Sequence, residues 1–214
     1  MNSAARPSSR LTRWLIPLAM VVLLGLMVAD TTFLGPEAAS AVNEPEFNAE
    51  NFSAETFPEI ATMIQENATD VVEFDEAYTA DPAAAGEQYG LEDGGTFLYQ
   101  LMATGTVSSV DEDFMEITVP GLPPEGVLRV PLGSALSGTP IRDATGTLKF
   151  GDFPSQTDYQ SVANQFKLLM QSEVLSAVDP ASLQGNDVSV AGVYSGGGPA
   201  NAYLLQPVSI KVAS

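Results

Sequence analysis

Apolar residues recur along this chain with two different periods, and the period changes near residue 90. In AETFPEIATMIQEN, Phe57, Ile60 (or Ala61) and Ile64 are spaced for one helix face, with Ser53 as N-cap and Pro58 in about the first turn. A second amphipathic stretch lies near VVEFDEAYTA. Asp81-Pro82 then opens a short helix that Gly90 closes at C′. Beyond it the period drops to two. FLYQLMATGTVSSV, from Phe97, is rich in aromatic and β-branched residues and predicts a strand. DFMEITVP sets Met115, Ile117 and Val119 against Phe114, Glu116 and Thr118, and VLRVPL sets Leu128, Val130 and Leu132 against Arg129. TLKF is a candidate extra strand. Helical spacing returns where Ser155 and Asp158 form a capping-box-like pair ahead of Tyr159, Val162, Phe166, Leu169 and Val174 (or Met170). DVSVAGVY and LLQPVSIKV, on either side of Gly196-Gly197-Gly198-Pro199, predict two closing strands.

Three strands, a helix and two strands is the element order of an OB-like β-barrel, with the helix plugging one end. The expected fold is therefore α+β: an OB-like α/β domain over residues 91–214, preceded by a small helical subdomain over residues 52–90. Upstream, residues 14–29 carry no charge; Arg6, Arg10 and Arg13 precede them and Asp30 follows. This pattern predicts a cytoplasmic basic segment at 1–13 and a transmembrane anchor or signal segment at 14–34. A tether rich in Pro, Ala and acid follows at 35–51. The favoured reading is an uncleaved single-pass anchor with the C-terminal domain outside the cytoplasm. The alternative is a cleaved signal and a secreted product.

Charge narrows the partners. The net charge is −19, with only 8 basic residues. Such a surface repels phosphate backbones and anionic headgroups, so nucleic acid is not an expected partner. The chain contains no cysteine and no histidine. Disulfides, thiolate catalysis, cysteine zinc sites and Ser-His-Asp chemistry are thereby excluded, and neither a cofactor nor a metal is expected.

The stretch IRDATGTLKFGDFPSQTDYQ, residues 141–160, concentrates the candidate chemistry. Arg142 and Asp143 adjoin a turn, Phe150 and Phe153 flank Gly151-Asp152, and Gln156, Tyr159 and Asn164 lie near or on the following helix. The residue types favour a barrel corner, with the phenylalanines in the core and Arg142 paired with a carboxylate. A polar–aromatic pocket for a sugar or peptide is the alternative. Asp111-Glu112-Asp113 lacks calcium-loop spacing and reads as a solvated turn, as does Glu92-Asp93-Gly94-Gly95. The triple glycine leads into a strand rather than a helix, so it is no phosphate cradle. Paired carboxylates or a Ser–Lys dyad with Lys149 or Lys167 are the remaining routes to catalysis.

The run GTPIRDATGTLKFGDFPSQTDYQSVANQFK resembles the signature of a predicted periplasmic lipoprotein family, domain of unknown function 2291, through Arg142, Asp143, Ala144, Phe150, Phe153, Gln156, Tyr159 and Asn164. DPAAAGEQYG and PVSIKV resemble its flanking segments. The resemblance implies a helical domain plus an OB-like domain outside the cytoplasmic membrane, encoded beside sugar ABC importers. It implies no catalytic residue. The chain departs from the family in lacking the cysteine that would carry a lipid. The expected function is that of a membrane-tethered, non-enzymatic accessory or binding protein, with sugar ABC transporter components as partners. A direct carbohydrate-binding module is the alternative, and a carboxylate-based hydrolase the second alternative.

Overall fold

The computed structural model describes residues 20–21, 46–198 and 202–212. Met20 and Val21 are helical. The rest of the expected basic and apolar segments, and residues 35–45 of the expected tether, lie outside the described residues. Among the described residues no helix is long and apolar enough to cross a membrane. Phe47–Ser214 form one compact unit, and the helices within residues 52–90 are part of it.

That unit opens with helix α1, Ala49–Asn67, which starts earlier than Ser53. Asn48 is the N-cap, and its Oδ1 accepts from the Asn51 N–H at 2.9 Å. Ser53 is instead buried inside the helix, and Pro58 lies mid-helix rather than in the first turn. The turn added by starting at Asn48 carries Phe52, which packs partly buried against the core that holds Phe57. Strand β1, Thr69–Asp70, follows, and then helices α2, Val71–Ala80, and α3, Pro82–Tyr89. Asp81 caps α3 through the N–H groups of Ala83 and Ala84, as its sequence predicts. Gly90 ends α3, but with φ −102° rather than a left-handed turn. Glycine is required there by close approach: a Cβ would stand 2.8 Å from both the Gly86 carbonyl and the Phe97 ring.

The sheet has seven strands. After β1 come β2, Gly90–Asp93; β3, Thr96–Val110; β4, Phe114–Thr118; β5, Val127–Pro131; β6, Asp187–Ser195; and β7, Ala202–Val212. The sheet runs β3-β4-β5-β7-β6, and antiparallel β3–β6 pairing joins its ends into a barrel. Strand β5 pairs with β7 in parallel, as Val127 opposite Ala202, which is possible because a long crossover separates them. One edge of β3 carries β6 along residues 98–106; the other edge is covered in series by β2, β1 and β4. That shared use explains why β3 is so long.

Alternation along β3 is regular. Leu101, Ala103, Gly105 and Val107 face inward, while Met102, Thr104, Thr106 and Ser108 face solvent. Met115, Ile117 and Val119, and likewise Leu128 and Val130, are buried as their spacing predicts. The candidate strand TLKF does not form. In its place the β5–β6 crossover holds helix α4, Thr139–Asp143, a left-handed turn at Gly146, and a 3₁₀ turn at Phe150–Asp152. The Asp152 carboxylate accepts from the Lys149 N–H at 3.0 Å, closing that turn locally instead of leaving the backbone to a sheet. Helix α5, Gln156–Leu169, then begins with the Ser155–Asp158 cap: the Asp158 N–H donates to Ser155 Oγ at 3.1 Å. It continues as a π-helical turn over Met170–Leu175. Phe166 and Met170 are buried beneath α5, and Phe57 of α1 meets Phe166 edge-on at 5.4 Å.

Candidate functional site

The crossover assembles an open cleft of about 720 Å³ between α4 and α5. Thr139 and Arg142 form one wall. Gln156, Tyr159, Gln160, Ala163 and Asn164 form the other, and Phe150 stands at the rim. The spacing of the walls is set by Gly138. A Cβ there would lie 2.7 Å from the Lys167 N and closer still to the Ala163 carbonyl oxygen, so α4 enters against bare α5 backbone.

Arg142 and Asp143 are both buried. Arg142 donates from Nε to Asp143 Oδ1 at 2.7 Å and from Nη2 to Oδ2 at 2.8 Å. Its Nη1 donates to the Tyr159 carbonyl at 2.9 Å. The guanidinium carbon sits 3.4 Å from the centroid of the Tyr159 ring. The Tyr159 hydroxyl turns back to donate to Asp143 Oδ1 at 2.7 Å. Three groups on two helices thus close one charge-assisted network, with both carboxylate oxygens engaged. Burial pushes the Tyr159 hydroxyl up to about 12; the Asp143 hydrogen bond and charge add to this, and Arg142 partly opposes it.

Phe153 is not in the cleft. It is buried behind Tyr159, with ring centroids 5.2 Å apart, and also meets Phe47 and Phe52 edge-on. Phe150, 55% exposed, meets Tyr159 from the other side at 5.8 Å. Asp143 faces a second, smaller hollow of about 430 Å³ behind the Phe150–Tyr159 partition, with Leu91, Glu92, Asp93 and Lys149. Of the seven candidate residues, Arg142, Phe150, Gln156, Tyr159 and Asn164 line the first cleft. Asp143 orients Arg142 and Tyr159, and Phe153 supports Tyr159 from the core. The stretch thus forms a buried corner with a lined cleft on its outer side.

Sequence reasoning missed Thr139, Gln160 and Ala163. Gln160 had a findable signal, since 156, 160 and 164 are spaced by four along one helix face. A second polar contact was also missed. Asp75 of α2, buried, accepts a short hydrogen bond from the Tyr203 hydroxyl of β7, inside a ring cluster with Phe74, Tyr99 and Tyr194. The acidic turn is as expected: Asp111 Oδ1 accepts from the N–H groups of Asp113 and Phe114, which holds its carboxyl below the usual range. No group of three or more carboxylates among the described residues is arranged to hold a metal.

No curated protein matches the chain. Among solved structures it is similar to an OB-fold protein from Thermotoga maritima, at 18% identity and a TM-score of 0.63. The match covers 78% of this chain and 99% of that one. At that identity the likeness shows the fold, and it agrees with the barrel order described above. The family model of a predicted periplasmic lipoprotein matches residues 18–211. That description places the protein on the extracytoplasmic side of the membrane, although the 214 residues contain no cysteine to carry a lipid. Nearly the whole chain is matched, and it therefore belongs to the predicted periplasmic lipoprotein family known as domain of unknown function 2291.

Proposed function

We propose that this protein is a membrane-tethered, non-enzymatic docking module whose partner is a component of a sugar ABC importer, bound at the α4–α5 cleft. The observation that carries the proposal is the composition of the cleft. Its lining offers an exposed aromatic ring, neutral amides and one arginine, and no carboxylate. The carboxylate bonded to the cleft arginine, Asp143, already accepts from Arg142 and Tyr159, so both its oxygens are engaged within the protein rather than free to act as a base. Such a lining binds without activating. The importer as partner comes from the family resemblance, and the tether keeps the module near such a membrane complex.

Photo-crosslinking in intact cells tests this. With a crosslinker at Gln160, an importer subunit is expected as the adduct; at Glu125, on the β4–β5 loop outside the cleft, it is not. Equal labelling from both positions, or none from Gln160, overturns the proposal. A second reading has its own support: the exposed face of Phe150 beside three amides is also suited to a saccharide ring. In that case a carbohydrate raises the melting temperature of the purified protein, because a ligand that binds only the native state stabilises it.

A further inference from the structure

Gln156, Gln160 and Asn164 form a ladder of carboxamides along the cleft wall of α5. All three are exposed, and their carboxamides make no hydrogen bond within the described residues. Successive rungs are separated by four residues of α-helix, a rise of roughly 6 Å. An extended polypeptide presents N–H and C=O groups along one edge with a two-residue repeat of roughly 6.7 Å. The mismatch is under about 1 Å per rung, which the rotatable side chain of glutamine absorbs. Each carboxamide carries one acceptor oxygen and two donors, so each can satisfy a peptide N–H and C=O together. Arg142 adds to the opposite wall. It uses three of its five N–H donors internally, and the other two have no acceptor among the described residues. The lining carries no negative charge, so an acceptor-rich backbone meets no repulsion there.

From this we infer that the cleft takes an extended peptide segment of its partner and reads its main chain through the Gln156–Gln160–Asn164 ladder, with Phe150 receiving an apolar side chain at the rim. A partner helix does not fit this chemistry, because its backbone groups are already paired. The inference rests on the docking reading above and names the form of the partner's docking element.

The test begins by panning a phage-displayed library of random peptides on the full-length protein in detergent. A recovered peptide is synthesised and its affinity measured. Gln160→Ala and Asn164→Ala are each expected to weaken it about five- to tenfold. Neither is expected to lower the melting temperature, since alanine favours an exposed helix position. Backbone N-methylation at alternate residues of the peptide is expected to abolish binding, and at the intervening residues to leave it intact. Recovery of no cleft-dependent peptide overturns the inference. So does a peptide that tolerates N-methylation throughout, or a glycan panel whose binding shows the same alanine sensitivity. If any of these occurs while Gln160 still crosslinks to an importer subunit in cells, only the extended-peptide inference fails. If the crosslink is lost as well, the docking reading fails with it.

Discussion

Replacing Asp143 with asparagine isolates the charge that holds α4 to α5. The side chain keeps its shape and one acceptor oxygen, while the guanidinium of Arg142 is left in place. Both side chains are more than nine-tenths buried, at 7% and 8% exposure. The substitution therefore leaves a buried guanidinium without its counter-ion, and one of its bonds at 2.7 or 2.8 Å now faces an amide NH₂. Breaking a buried pair in this way costs about 3–5 kcal/mol. The Tyr159 ring beneath the guanidinium and the bond to the Tyr159 carbonyl are present in both proteins, and because the guanidinium keeps these partners the loss falls at the low end of that range. A net loss of about 3 kcal/mol follows, or roughly 6–12 °C in melting temperature for a domain of this size. Urea unfolding is the assay, with the midpoint falling and the m-value unchanged. Adding Arg142→Met to the same protein should restore most of the loss, because a well-packed apolar group replaces the orphaned charge. A single variant that loses under about 1 kcal/mol, or a double variant no better than the single, would refute the assignment of this contact as a buried ion pair.

Three further outcomes follow from the geometry. Tyr203→Phe removes the donor to the buried Asp75 carboxylate and should cost about 1–3 kcal/mol in thermal unfolding; a variant as stable as the parent contradicts that contact. Gly138→Ala drives a methyl group into α5 backbone, which cannot move aside as a side chain can. About 1–3 kcal/mol should be lost, with α4 displaced from α5 in a crystal structure of the variant, whereas an unchanged cleft and melting temperature count against the close approach. At alkaline pH the Tyr159 and Tyr194 hydroxyls, both pushed up to about 12 chiefly by burial, stay protonated in the folded protein after the unfolded chain has lost those protons. The unfolded state then binds fewer protons, so stability is full below about pH 10 and falls as the pH rises towards 12. Tyr159→Phe should shallow that fall, and a pH–stability profile flat across the window contradicts the shifts.

Much of the barrel was legible because its strands are half-buried. A strand with one wet face must alternate, and Met115, Ile117 and Val119 do so plainly, as do Leu128 and Val130. The Ser155 and Asp81 caps were legible because a cap is a local bargain between one side chain and the next few N–H groups. Strands β1 and β2 were not, since two and four residues hold too few alternations to show a period. Helix α4 escaped for the same reason, at five residues without a side-chain cap. Ser53 misled because its cap chemistry is common to many serines, and only the position of the core shows that Asn48 does the capping.

The sequence alone determined the order of the five longer barrel strands and of the helix between the third and fourth of them, the acidic surface, the absence of imidazole and thiol chemistry, and the concentration of unusual residues at 142–164. These depend on local spacing and on residue type, both of which are properties of the unfolded chain. Tertiary structure decided which of those residues meet. Arg142, Asp143 and Tyr159 lie up to 17 residues apart along the chain, and their network exists because Gly138 lets α4 lie against α5. It also decided that Phe153 turns to the core while Phe150 turns to solvent, although each is a phenylalanine beside the same Gly-Asp step. Burial is a relation between distant segments, so no reading of the chain by itself could assign it.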